Sequence, residues 1–110
     1  MEQQEEKIIR KLQKSPVHLT GGIIPDAEKD PEQTYIFTCL RRFFSGDYGE
    51  IPADDAESNR QELRAGTGRI IARYKAQGRL RQDFYIISYF TEGRTEPDYN
   101  YTSVLYLMDY

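Results

Sequence analysis

The chain of 110 residues predicts an α+β fold: an antiparallel sheet of three or four strands in the C-terminal half, packed against two or three helices. Apolar residues in the first half recur at three- and four-residue spacing, the period of a helix, as in Ile36, Leu40 and Phe43. Past Gly68 the pattern changes to short runs rich in β-branched and aromatic residues, the composition of strands. Helices first and strands afterwards fit one domain over residues 1–110, a length served by one hydrophobic core.

Glu2 to Lys14 places Ile8, Ile9 and Leu12 at helical spacing among charged residues, a short amphipathic helix that is marginal alone and can stand at the periphery of the domain. Ser15 and Pro16 end it, and His18 to Pro25 reads as a short extended piece weakened by Gly21 and Gly22. The main helix of the core starts next. Asp30 is placed to cap it, Pro31 suits its first position, and Gln33 stands in the capping-box place. Ile36, Phe37, Leu40, Phe43 and Phe44 form its apolar face, and Gly46 closes it. A polar helix begins at Asp54 or Asp55 and runs to Leu63, with Gly66 or Gly68 as its stop. Arg69 to Lys75 and Asp83 to Thr91 pair as a hairpin across a turn at Ala76 to Arg79, and Tyr101 to Met108 makes a third strand after the polar loop Glu92 to Asp98.

The strand from Phe84 to Phe90 is apolar on both faces, since Phe84, Ile86 and Phe90 alternate with Tyr85, Ile87 and Tyr89. A half-exposed strand alternates apolar with polar, so the second face needs a cover: the N-terminal helix, a second copy of the chain in a homodimer, or a partner, unless this is simply a central strand covered on both sides within the monomer.

Composition excludes several classes. No run of apolar residues is long enough to span a membrane, and the acidic start with Glu2, Glu5 and Glu6 is unlike a signal sequence, so the expected location is the cytoplasm. One cysteine, Cys39, leaves no intrachain disulfide, and one histidine, His18, leaves no pair of soft ligands for zinc. The net charge of -3 hides a segregation: residues 1–59 balance to -5, residues 60–81 to +6 and residues 82–110 to -4. Such a basic block either pairs with its acidic neighbours or holds an anion. Ten of the fifteen bases are Arg, whose planar fork suits carboxylate and phosphate and stacks on rings. General nucleic-acid binding is not expected of a chain with net negative charge.

No catalytic residues emerge and no cofactor is called for. His18 has no serine in a nucleophile-elbow context beside it. Gly66-Thr67-Gly68 lacks the rest of a phosphate loop or dinucleotide fingerprint and precedes a strand, so it reads as a helix stop. Asp47, Glu50, Asp54, Asp55 and Glu57 hold enough carboxylate for a divalent cation but lack calcium-loop spacing. Helix-start chemistry accounts for Asp54 and Asp55. Cys39 sits in an apolar run, as a packed thiol does. What stands out is a combination. Tyrosines at 48, 74, 85, 89, 99, 101, 106 and 110 lie in or beside the predicted sheet, next to the arginine block. Tyr48, Arg69, Arg73, Tyr85, Tyr89, Tyr101 and Tyr106 are the candidate ligand- or partner-binding residues. Tyr rings can sandwich a base while Arg forks hold its phosphates, and the same side chains make protein-binding hot spots.

The run Phe44-Ser45-Gly46-Asp47-Tyr48-Gly49-Glu50-Ile51, followed by Asp54 to Leu63, resembles a family of short proteins from phages, plasmids and other mobile elements. There a Gly-Asp-Trp/Tyr-Gly turn precedes an acidic helix bearing an asparagine. Arg69 to Tyr74, Tyr89 to Glu92, Thr102 to Leu105 and the closing Tyr110 look like its later strands and C-terminal tyrosine. The likeness covers roughly residues 19–110, with Tyr48 where tryptophan is usual and a longer Glu92 to Asn100 loop. Members are often labelled "plasmid-related protein" or "restriction enzyme subunit M", although this chain has no adenosylmethionine-binding glycine loop. The resemblance, the small size and the Tyr-rich sheet together imply a non-catalytic accessory protein that antagonises a bacterial defence system by binding an effector protein. The alternatives are a sponge that sequesters a nucleotide immune signal, and a small metal-dependent enzyme using the carboxylates of Asp47 to Glu57.

Overall fold

A computed structural model describes residues 3–91 and 100–110 and shows an α+β fold. The expected helix start at Glu2, the polar loop Glu92 to Asp98 and Tyr99 lie outside the described residues. The first helix, α1 (Gln3–Gln13), buries Ile8, Ile9 and Leu12, so its narrow apolar stripe belongs to the main core.

The extended piece predicted from His18 to Pro25 is two elements, a three-residue strand β1 (Val17–Leu19) and a one-turn helix α2 (Ile23–Asp26) that buries Ile23. The core helix α3 (Glu32–Phe44) turns Ile36, Cys39, Leu40 and Phe43 inward. Phe37 departs from expectation: it sits one residue off that stripe and is 57% exposed. The start of α3 also differs. The Gln33 N–H, which a capping Asp30 would take, donates instead to the Lys29 carbonyl at 3.1 Å, and the Asp30 carboxylate accepts from the Thr34 hydroxyl at 2.6 Å. The first helical residue is Glu32, one past the expected proline. At the other end the Gly46 N–H donates to the Phe43 carbonyl and the Asp47 N–H to that of Arg42, the paired bonds of a Schellman close.

The polar helix α4 (Ala53–Ala65) places Asp54 and Asp55 in its first turn and ends on Gly66 at φ +80°, a left-handed backbone that glycine adopts without penalty. Three antiparallel neighbours follow: β2 (Thr67–Tyr74), β3 (Phe84–Thr91) and β4 (Tyr101–Tyr106). The last strand stops two residues before the expected Met108, because Leu107–Asp109 wind into a 3-10 turn. The sheet order is β1-β4-β3-β2, with β1 parallel to β4, so the four-stranded sheet is mixed.

The two sheet faces differ. Ile70, Ala72 and Tyr74 of β2, Phe84, Ile86 and Phe90 of β3, and Val104 and Tyr106 of β4 join the buried side chains of all four helices in one cluster. On the opposite face Ile71, Ile87 and Leu105 form a second, small cluster with Tyr85 and Tyr89 packed against it. The N-terminal helix is therefore not the cover of that face.

Strand β2 is an edge, and an exposed edge is a row of unpaired backbone groups. Here it is closed from outside. The buried Asn59 of α4, 1% exposed, donates from Nδ2 to the Ile71 carbonyl and accepts the Ile71 N–H on Oδ1, both at 2.9 Å. Two residues along, the Arg73 N–H donates to the Tyr48 carbonyl at 3.1 Å and the Arg73 carbonyl accepts the Glu50 N–H at 2.8 Å. Gly49, at φ +68°, lies so close that an added Cβ would stand 2.0 Å from the Arg73 carbonyl oxygen.

Candidate functional site

The register of the three antiparallel strands explains which candidate residues meet. Arg69 pairs with Tyr89 and Tyr89 with Tyr101; Ile71 with Ile87 and Ile87 with Ser103; Arg73 with Tyr85 and Tyr85 with Leu105. Residues two apart in a strand share a face, so these three rows form one grid. Parallel pairing of His18 with Ser103 extends the middle row to β1. Five of the seven candidates, Arg69, Arg73, Tyr85, Tyr89 and Tyr101, thus stand on one sheet face around an apolar centre. All five are half-buried.

Contacts within the grid hold these side chains. The Tyr89 and Tyr101 rings stack at 4.9 Å between centroids with 27° between planes. Burial, with Tyr110 and Tyr101 beside it, raises the Tyr89 phenol above its usual pKa and keeps it a neutral hydrogen-bond donor. Arg73 reaches Asp83 at 3.2 Å, while the backbone N–H of Ala76 and then Arg73 hold the Asp83 carboxyl below its ordinary range. Tyr110, past the 3-10 turn, folds back over the face. Its ring meets Tyr85 edge-on at 5.3 Å and lies 5.4 Å from the Arg69 guanidinium, which also donates to the Tyr110 hydroxyl. Arg69 and Tyr85 occupy the two outer rows, so Tyr110 bridges them. The closing tyrosine marked by the resemblance is thus a sixth member, and its signal was its place in that motif.

Tyr48 and Tyr106 stand apart from the grid, on the helical side. The Tyr48 ring meets Phe43 edge-on at 5.6 Å. Tyr106 is buried; its hydroxyl donates to Asp26 at 2.6 Å and accepts the Arg81 N–H at 3.0 Å. That bond and the Arg81 guanidinium hold the Asp26 carboxyl below its ordinary range.

Much of the arginine block is spent on partners within the fold. Arg79 donates from its backbone N–H and its Nε to Oε1 of Glu32, which is 2% exposed, and these bonds lower the Glu32 carboxyl. Arg81 pairs with Asp26, and Arg60 with Glu57. A cleft of about 220 Å³ between α3 and β2 is lined by Arg42, Arg73 and Lys75, but each already has a carboxylate partner, Asp47, Asp83 and Glu50 respectively. Of the carboxylates considered for a cation, Asp47, Glu50 and Glu57 pair with Arg42, Lys75 and Arg60, and among the described residues no group of three His, Cys, Asp or Glu side chains could hold a metal ion. Burial pushes the Cys39 thiol up, as for a packed thiol. No helix among the described residues is long and apolar enough to cross a membrane. Comparison with protein-family models, curated proteins and solved structures gives no match to this chain.

Proposed function

We propose that this chain is a non-catalytic accessory protein of a phage or mobile element that acts in the host cytoplasm and antagonises a bacterial defence system by binding an effector protein. The observation that carries the binding role is the grid: Arg69, Arg73, Tyr85, Tyr89, Tyr101 and Tyr110 on one sheet face around Ile71, Ile87 and Leu105. Tyr and Arg dominate protein-binding hot spots, and here the half-buried side chains of Arg69, Arg73, Tyr85, Tyr89 and Tyr101 stand around Ile71, Ile87 and Leu105, which are themselves buried. Rings and guanidinium groups already held by one another lose little freedom on docking. The link to defence systems comes from the mobile-element resemblance.

Nucleotide sequestration fits this surface less well. Tyr89 and Tyr101 stack on each other, so a base between them must first break a 4.9 Å ring contact. Capture from host lysate followed by mass spectrometry tests the proposal, with Arg69→Glu as the control variant and calorimetry against cyclic nucleotides and ADP-ribose derivatives alongside. The expected result is one defence effector, retained by the parent chain and weakened at least about tenfold by reversing a charge at the contact. Capture of no defence component, capture indifferent to Arg69→Glu, or nucleotide binding alone overturns it.

A further inference from the structure

The two edges of the sheet are treated differently. Asn59 and the Tyr48–Glu50 segment close the β2 edge, whereas among the described residues no strand pairs with the outer side of β1. Pro16 accepts the Thr102 N–H and Thr20 donates to the Val104 carbonyl, so the backbone of Val17 and Leu19 points the other way, to the open side. Beside that edge runs an apolar groove of about 240 Å³ lined by Val17, Leu19, Ala27, Ile36, Phe37 and Leu40. Phe37 and Val17 are 57% and 38% exposed, and Val17-His18-Leu19 contains none of the lysines, acids or prolines that blunt a free edge.

We infer that this edge binds a second copy of the chain, β1 pairing antiparallel with the partner's β1 about a twofold axis at His18, to make one continuous eight-stranded sheet. The strand is self-complementary under that operation. The axis sets Val17 opposite the partner's Leu19, and both present their N–H and C=O outward, so each of the two equivalent pairs exchanges two hydrogen bonds. Charge favours the same arrangement. The exposed stripe of α3 runs Gln33, Phe37, Arg41, from a start flanked by Glu28 and Asp30 against Lys29. Antiparallel pairing of this stripe with itself sets Phe37 beside the partner's Phe37 and points Arg41 at the partner's acidic helix start. Parallel pairing would bring like ends together. A foreign extended strand would use the same backbone groups but has no such match to the charges of α3.

The inference is independent of the Tyr–Arg face, which lies across the sheet from the groove. Sedimentation velocity over a concentration series tests it. The parent chain is expected to dimerise, and Phe37→Glu to weaken association at least about tenfold by placing two carboxylates at the axis. Phe37 is exposed, so this variant is expected to fold, and circular dichroism is the check. His18→Cys supplies an independent readout, because facing non-hydrogen-bonded residues in an antiparallel pair lie about 4.5 Å apart at Cα, within reach of a disulfide. Oxidation should link two His18→Cys chains while the parent, whose Cys39 is buried, stays unlinked. A parent chain that remains monomeric, a dimer that survives Phe37→Glu, failure of the cross-link, or loss of the dimer in Arg69→Glu overturns it. So does a monomer that takes an extended apolar peptide along Val17 to Thr20 instead.

Discussion

Replacing Asn59 by alanine removes both hydrogen bonds that α4 makes to Ile71 and leaves a backbone N–H and a C=O facing the hole. The site is buried, and a buried polar group without a partner costs about 1–3 kcal/mol. Two such groups, less what water entering the cavity returns, give an expected loss of about 3 kcal/mol, a large part of the 5–15 kcal/mol or so that holds a domain of this size. Urea unfolding followed by circular dichroism measures it, with a midpoint shift of about 2 M at a slope near 1.5 kcal/mol per molar. Asn59→Asp sharpens the experiment. An ionised carboxylate can still accept the Ile71 N–H, but it sets a second anionic oxygen against the Ile71 carbonyl. The folded state therefore favours the protonated form, and the carboxyl's folded pKa lies above its unfolded value of about 3.9. Its cost grows as the pH rises through that unfolded value and shrinks below it, where the neutral acid donates to the carbonyl as the amide did. A loss under about 0.5 kcal/mol for Asn59→Ala would refute the account of the edge clamp. So would an aspartate variant whose deficit, measured against the alanine variant, does not change between neutral and acid pH.

Two further outcomes concern the same framework. Arg79→Ala leaves the buried Glu32 carboxylate without the guanidinium that lowers its pKa, so the melting temperature should fall more at pH 7, where Glu32 is ionised, than at pH 4, where protonation relieves it. Thermal melts of parent and variant at the two pH values check this, and an equal drop at both would count against it. Gly49→Ala should destabilise by more than the 1–2 kcal/mol or so of a left-handed alanine alone, because its Cβ would meet the Arg73 carbonyl oxygen at 2.0 Å; chemical denaturation gives the number.

Local patterns in the chain lead to its elements but not to the pairings between distant segments. Ile36, Leu40 and Phe43 mark α3 by period alone, and Ile70, Ala72, Phe84 and Ile86 mark strands by composition. Strand β1 is legible only as part of an extended piece, and its place in the sheet is not, because its three residues carry no period and its partner, β4, lies 85 positions away in the register His18 to Ser103. Nothing near Glu32 in sequence announces its partner Arg79, 47 residues on. Asn59 is marked only as the asparagine of the acidic helix in the resemblance, with no role attached, although it precedes the buried Leu63 by four residues and so shares its face. Residue type alone groups all seven candidates; that five of them share a face follows only from the register of β2, β3 and β4. Tyr48 and Tyr106 were grouped with them by composition, and a residue's type does not say on which side of a sheet it lies.

The parallel pairing of β1 with β4 has a kinetic meaning. The β2–β3 and β3–β4 pairings join neighbours in sequence and close short spans, whereas β1 must find a strand at the opposite end of the chain. Closing so long a loop costs entropy that only the completed core repays, so the three-stranded meander can form early and β1 docks late. Assembly thus proceeds across the sheet from the clamped edge to the open one. The last strand to arrive in a single chain is the one that, in the dimer inferred above, would join two finished sheets.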